Sequence, residues 1–135
     1  MGFFGFLKNL FFWRRPQNLG RRAELAAAKY LRREKKLKII ARNYRSGRYE
    51  IDIICYDKPS DTIVFAEVKC RPVYAKVRGY YSATSPKKRA FLRQCARAFM
   101  RENGAFGRNF RFDVVEANHD GNGKIVEILH FENAG

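Results

Sequence analysis

Acidic residues are scarce in this chain. Of its 135 residues only 13 are Asp or Glu, against 28 Lys or Arg, and the formal net charge is +15. Cysteine is scarcer still: Cys55, Cys70 and Cys95 form an odd, widely spaced set with no CxxC pair. That pattern excludes a CxxC-type zinc site. Cys55 and Cys70 fall in apolar strand patterns and read as core thiols, which fits a reducing cytoplasm. Histidine is limited to His119 and His130, isolated from each other and assigned no role. No apolar run approaches the roughly 20 residues of a membrane-spanning helix. The chain has no internal repeat and no low-complexity segment. Its apolar opening, Phe3 to Trp13, lacks the basic start and small-residue cleavage site of a signal peptide. Residues 1–17 read as a tail that packs on the domain or stays loose. The alternative is a short amphipathic segment on a membrane surface, with Arg14 and Arg15 at the headgroups.

Apolar and aromatic side chains are present in quantity, at 46% and 15%, enough for one packed core in a single domain over residues 18–135. The charge exceeds the magnitude of about 2–8 that suits the solubility of a small domain. A polyanion, nucleic acid before membrane, is the partner this balance implies.

Leu19, Ala23, Ala27, Tyr30 and Leu31 recur at helical steps, predicting a first helix to about Lys36. "LKIIARNY", "YEIDIICY" and "TIVFAEVKCR" read as three strands, turned at "SGR" and "DKPSD". "PVYAKVRGYYSAT" has no period and reads as a loop over a site. Ser85-Pro86 predicts the cap and first position of a second helix ending at Gly104, with Phe91, Leu92, Cys95 and Phe99 as its buried side. "NFRFDVVEA" and "KIVEILHF" follow as two strands. The class is α/β: helix, three strands, helix, two strands, around a mixed sheet whose later strands join through the second helix.

The acids of the hairpin are the chemical signal. Strict alternation puts Glu50, Asp52, Ile54 and Tyr56 on one face of the second strand, and Ile51, Ile53 and Cys55 on the other. Phe65, Glu67 and Lys69 share a face of the third. An antiparallel pair then brings Asp52 beside Glu67 and Glu50 beside Lys69, with Glu24 approaching from the first helix. Cross-strand salt bridges on a solvated face would account for such a set. So would chemistry: adjacent carboxylates repel and hold a hard divalent cation, Mg²⁺ or Mn²⁺, which activates water against a phosphodiester. A Lys two residues after a ligating Glu reaches the same point.

The second helix carries Arg89, Arg93, Arg97 and Arg101 at four-residue steps, one stripe that repels itself and suits phosphates. Lys87 and Lys88 occupy its first turn, where a helix N-terminus and lysines together make a phosphate site. Arg21 and Arg71 extend the basic surface. Tyr74, Tyr80 and Tyr81 interleave with bases in the loop, positions from which a ring stacks on an unpaired base or packs on the core.

"GRRAELAAAKYL", "RNYRSGRYEIDII", "IVFAEVKCR" and "FRFDVV" together resemble the YraN family of small bacterial proteins, from about Leu19 to the C-terminus. That family is similar to Holliday-junction resolvases and other PD-(D/E)xK-type nucleases. The resemblance implies a restriction endonuclease-like αβββαβ core and a catalytic set of Glu24, Asp52, Glu67 and Lys69. Glu24, Asp52 and Glu67 would hold the metal and Glu50 would support it. One position departs: Tyr49 stands where the family has Gly, placing a ring at the site entrance, where it could stack on a base. The expectation is a metal-dependent endonuclease acting on DNA, branched or single-stranded. The alternatives are a non-catalytic nucleic-acid-binding protein on the same fold, and a membrane-associated interaction protein. Two-fold junctions favour a homodimer by symmetry.

Overall fold

The computed structural model describes residues 19–75 and 85–134. The order is α1 (Leu19–Arg33), β1 (Lys38–Ser46), β2 (Tyr49–Asp57), β3 (Thr62–Lys69), α2 (Pro86–Glu102), β4 (Asn109–His119) and β5 (Ile125–Phe131). The strands form one sheet in the order β1-β2-β3-β4-β5. All neighbours are antiparallel except β3 and β4, which run parallel. A parallel pair needs a crossover, and α2 is that crossover. The tail and the tyrosines Tyr80 and Tyr81 lie outside the described residues.

Each helix covers one face of the sheet. Ala27, Ala28 and Leu31 of α1 pack with Ile53, Cys55, Val64, Ala66 and Val115. Leu92, Cys95, Ala96, Phe99 and Met100 of α2 pack with Ile51, Ile54, Ile63 and Phe65 on the other face. Small residues let α1 sit close to the sheet, while the aromatic and branched residues under α2 fill a thicker layer. α2 begins as its sequence dictates. Ser85 is extended and its Oγ accepts from the Lys88 N–H, with Pro86 in the first turn. Phe91, expected in the buried side, is only half-buried.

Strict alternation fails in β2. Ile51 packs under α2 and Ile53 under α1, although residues two apart should share a face. Two local causes coincide. Asn43, between the pairs Arg42↔Ile53 and Tyr44↔Ile51, has a left-handed backbone with φ of 53°, which twists β1 opposite the break. The β2–β3 ladder also ends at Ile53↔Ala66. Beyond that pair the strands part, and the Val68 N–H donates to Asp52 Oδ2 at 2.8 Å. A carboxylate has replaced the next rung of the sheet.

Candidate metal and nucleic-acid site

The split between β2 and β3 turns Asp52 toward α1. Asp52, Glu24, Asn43 and Val68 line one cleft with Arg21 at its rim. One oxygen each from Glu24, Glu50 and Asp52 lies within 4.8 Å of the others, all three residues half-buried. With its amide nitrogen turned toward the acids, Asn43 donates to Glu24 Oε1 and to Glu50 Oε1, each at 3.2 Å. Burial is the main force on Asp52. It raises the carboxyl pKa to about 6, the Val68 N–H opposes it, and the charges of Glu24, Glu67 and Glu50 add to it. Glu24 is raised as well, by burial first, with Arg42 opposing and Glu50 adding. A carboxyl that resists ionisation because it is buried, and further because other acids adjoin it, gains from a cation placed among them.

Glu67 faces the other way, under α2. Its Oε1 lies 3.1 Å from Lys69 Nζ and 2.6 Å from Lys88 Nζ. Its Oε2 is buried with no hydrogen-bond partner among the described residues. The expected set of Glu24, Asp52 and Glu67 is therefore altered. The carboxylates that converge are Glu24, Glu50 and Asp52, and Glu67 adjoins them across the split, close enough for its charge to raise Asp52. Alternation had placed Asp52 and Glu67 on one face, and the break at Ile53 is why they are not. Glu50 was expected beside Lys69. It instead pairs with Arg45 at 2.9 Å, its register partner on β1, while Lys69 stays with Glu67. Glu50 thus moves from support into the acidic cluster.

The basic residues divide into two kinds. Lys87, Arg93, Arg97 and Arg101 are exposed along α2 and Arg89 is half-buried, so the stripe exists as expected. Lys88 belongs to the site itself. Arg71 was expected on the phosphate-binding surface, but its Nη1 lies 3.6 Å from the buried Glu116, and its side chain is mostly covered. Arg71 lies just past the end of β3, where its N–H donates to Asn118 Oδ1 and its guanidinium supplies the counter-charge to buried Glu116. Arg21 is exposed at the cleft. Tyr49 is not free to stack on a base through the face it turns to α2. It stacks on Phe91 with centroids 4.4 Å apart and planes 12° apart. Its carbonyl also accepts from Cys95 Sγ at 3.8 Å. Cys70, expected in the core, is half-buried and lines the cleft with Asp52.

Sequence reasoning gave no part to Asn43 in the site and counted Lys88 only as a phosphate ligand. A left-handed Asn next to a run of strand residues is a legible signal in principle, since Asn tolerates that conformation. Nothing local marks Lys88, because its partner is 21 residues away.

The model of the uncharacterised family UPF0102 matches residues 23–117, which spans both helices and four of the strands. The chain belongs to the UPF0102 family. A UPF0102 protein of Pelotomaculum thermopropionicum is 37% identical over 116 residues, covering 86% of this chain and 93% of its own. One of Desulforapulum autotrophicum is 37% identical over 113 residues, covering 84% and 90%. One of Chlorobium limicola is 41% identical over 100 residues, covering 74% of each. Glu24, Asn43, Glu50, Asp52, Glu67, Lys69 and Lys88 fall inside the family match, and Arg21 lies just before it.

Proposed function

We propose that this UPF0102 protein is a metal-dependent endonuclease that hydrolyses phosphodiesters in DNA, branched or single-stranded. The observation that carries the reading is the convergence of Glu24, Glu50 and Asp52 at a split in the sheet, with Lys69 and an unpartnered buried Glu67 oxygen beside them. Hard oxygen donors, one of them a carboxyl raised by burial and then by neighbouring acids, suit Mg²⁺ or Mn²⁺. The likeness to the YraN family and to PD-(D/E)xK nucleases supports the same roles for Glu24, Asp52, Glu67 and Lys69, and the order αβββαβ supports the fold.

A divalent ion in this cluster would lower the pKa of bound water and offset charge on the phosphorane-like transition state. Asp52 and Glu24 would hold it, with Glu50 or Glu67 completing the set. The Val68 N–H fixes the Asp52 carboxylate, and Asn43 fixes Glu24 and Glu50, so the donors are oriented before substrate arrives. Lys69 Nζ is held by Glu67 on the α2 side of the split, from where an ammonium would position the attacking water and offset the growing negative charge. Lys87, Arg89, Arg93 and Arg97 along α2 and Arg21 on α1 would hold the phosphates on either side, an interaction that weakens with salt.

Purified protein is expected to cut branched or single-stranded DNA in Mg²⁺ or Mn²⁺ and to leave it intact in EDTA. Lys69→Ala should slow cleavage about 100-fold while DNA binding persists. If the wild type cuts no DNA in either metal and still binds it tightly, a non-catalytic DNA-binding role takes the place of this reading.

A further inference from the structure

Lys88 sits where a cation is least at home. It is the third residue of α2, in the turn whose free N–H groups and dipole favour anions. Its ammonium reaches under the helix to Glu67 Oε1 at 2.6 Å, closer than Lys69 at 3.1 Å. One carboxylate oxygen thus receives two ammoniums, while the other is buried with no hydrogen-bond partner among the described residues. Two positive charges on one negative leave an excess of one. Lys88 also adjoins Arg89, where the basic stripe of α2 begins, so the residue belongs at once to the acidic site and to the phosphate-binding helix. The charge of Asp52 bears on Lys88 as well.

We propose that Lys88 is a second active-site lysine, held on Glu67 in the free protein and transferred to a non-bridging phosphate oxygen of the substrate when nucleic acid docks on α2. The transfer is an exchange of hydrogen bonds: no covalent bond changes and Lys88 stays an ammonium. It leaves Lys69 alone on Glu67 Oε1 and takes one positive charge away from the cluster of Glu24, Glu50 and Asp52, which would then hold a divalent cation more tightly. Free protein therefore holds a divalent cation weakly, and substrate-bound protein holds it well. The proposal rests on the nuclease reading above. Its sign is set by Coulomb's law. A like charge beside the site opposes a divalent ion twice as strongly as a monovalent one. Removing one ammonium should therefore be easy to detect.

The test is calorimetric titration of Mn²⁺ into the full chain, with and without a branched phosphorothioate DNA that carries single-stranded arms and resists cleavage. In the absence of DNA, Lys88→Ala is expected to bind Mn²⁺ about 10-fold more tightly than wild type, and Lys88→Arg to match wild type within about 3-fold. DNA should tighten Mn²⁺ binding to wild type about 10-fold and to Lys88→Ala by much less. Lys58→Ala, an equal loss of charge at the exposed far end of the hairpin, controls for net charge and should leave Mn²⁺ affinity unchanged. Equal or weaker Mn²⁺ binding by DNA-free Lys88→Ala overturns the proposal while leaving the nuclease reading in place. Absence of Mn²⁺ binding by wild type, with and without DNA, overturns both. The Ser85 cap and the α2 core residues are untouched in these variants, and an unfolding curve for each confirms that the helix is seated.

Discussion

Asp52→Asn should abolish metal-dependent cleavage and at the same time stabilise the metal-free protein. Loss of a ligating carboxylate at the point where phosphoryl charge develops is expected to cost at least about 1000-fold in rate. The gain in stability follows from the raised Asp52 pKa, near 6 in the folded protein against an ordinary 3.8. The folded state then binds a proton that the unfolded state releases. The resulting stabilisation is full below pH 3.8 and is lost as pH rises through about 6. At neutral pH the ionised Asp52 costs the metal-free fold on the order of 1–3 kcal/mol. Asn keeps an oxygen for the Val68 N–H and carries no charge, so it removes that cost. Urea unfolding at pH 5 and pH 7.5 measures this. The variant should exceed wild type at the higher pH, and the gap should narrow at pH 5 without closing, since the unfolded carboxyl is still ionised there. Mn²⁺ should raise wild-type stability and leave the variant unmoved. A metal-free variant less stable than wild type at pH 7.5 would show that Asp52 is a structural acid.

The second large effect lies away from the cleft, at Asp113 on β4. Its side chain is fully buried and receives His130 Nε2 at 2.9 Å, Arg111 through Nε and Nη2 at 3.0 and 3.2 Å, and the Asn133 N–H at 2.9 Å. With Nε2 donating, the Nδ1 of His130 accepts from the Tyr30 hydroxyl at 3.3 Å. One carboxylate therefore ties α1, β5 and the C-terminal turn to the middle of the sheet. Burial works against its charge, but the hydrogen bonds from His130, Arg111 and Asn133 together hold its pKa below 3.8. Asp113→Ala leaves the donors facing an apolar gap and is expected to cost about 3–5 kcal/mol. The urea midpoint should fall at unchanged slope. In wild type the contribution is present above pH 3.8 and is lost as pH falls through the lower folded-state value. A midpoint shift equivalent to less than about 1 kcal/mol would mean that neighbouring groups or water replace the carboxylate.

Much of the architecture was legible because local chemistry and tertiary structure agree. Ser85-Pro86 starts α2 where it reads as a start, the three strands turn at Gly47 and Asp61, and the second and third pair in the expected register as far as Ile53↔Ala66. Crossover by α2 followed from the order of elements alone. The acids were legible as a group, and Glu24 does reach Asp52. Their partition was not. Alternation is a rule for an unbroken strand, and one left-handed residue at Asn43 and one unpaired rung after Ile53 suspend it. Tyr49 could not be placed from sequence, since its stacking partner Phe91 is on another element. The buried charges Asp113 and Glu116 sit in a run that reads simply as a strand. Their burial is made tolerable by Arg111, His130, Arg71 and Asn118, residues whose spacing along the chain gives no hint of convergence.

The central claim is that Glu24, Glu50 and Asp52 bind a divalent cation at the split between β2 and β3. A crystal of the full chain soaked in Mn²⁺ and measured at the manganese absorption edge tests it directly. The account predicts one anomalous peak in contact with carboxylate oxygens of Glu24 and Asp52, absent from a crystal of Asp52→Asn. Well-ordered diffraction with no peak between these residues, or with manganese only at exposed acids such as Asp120, would contradict it.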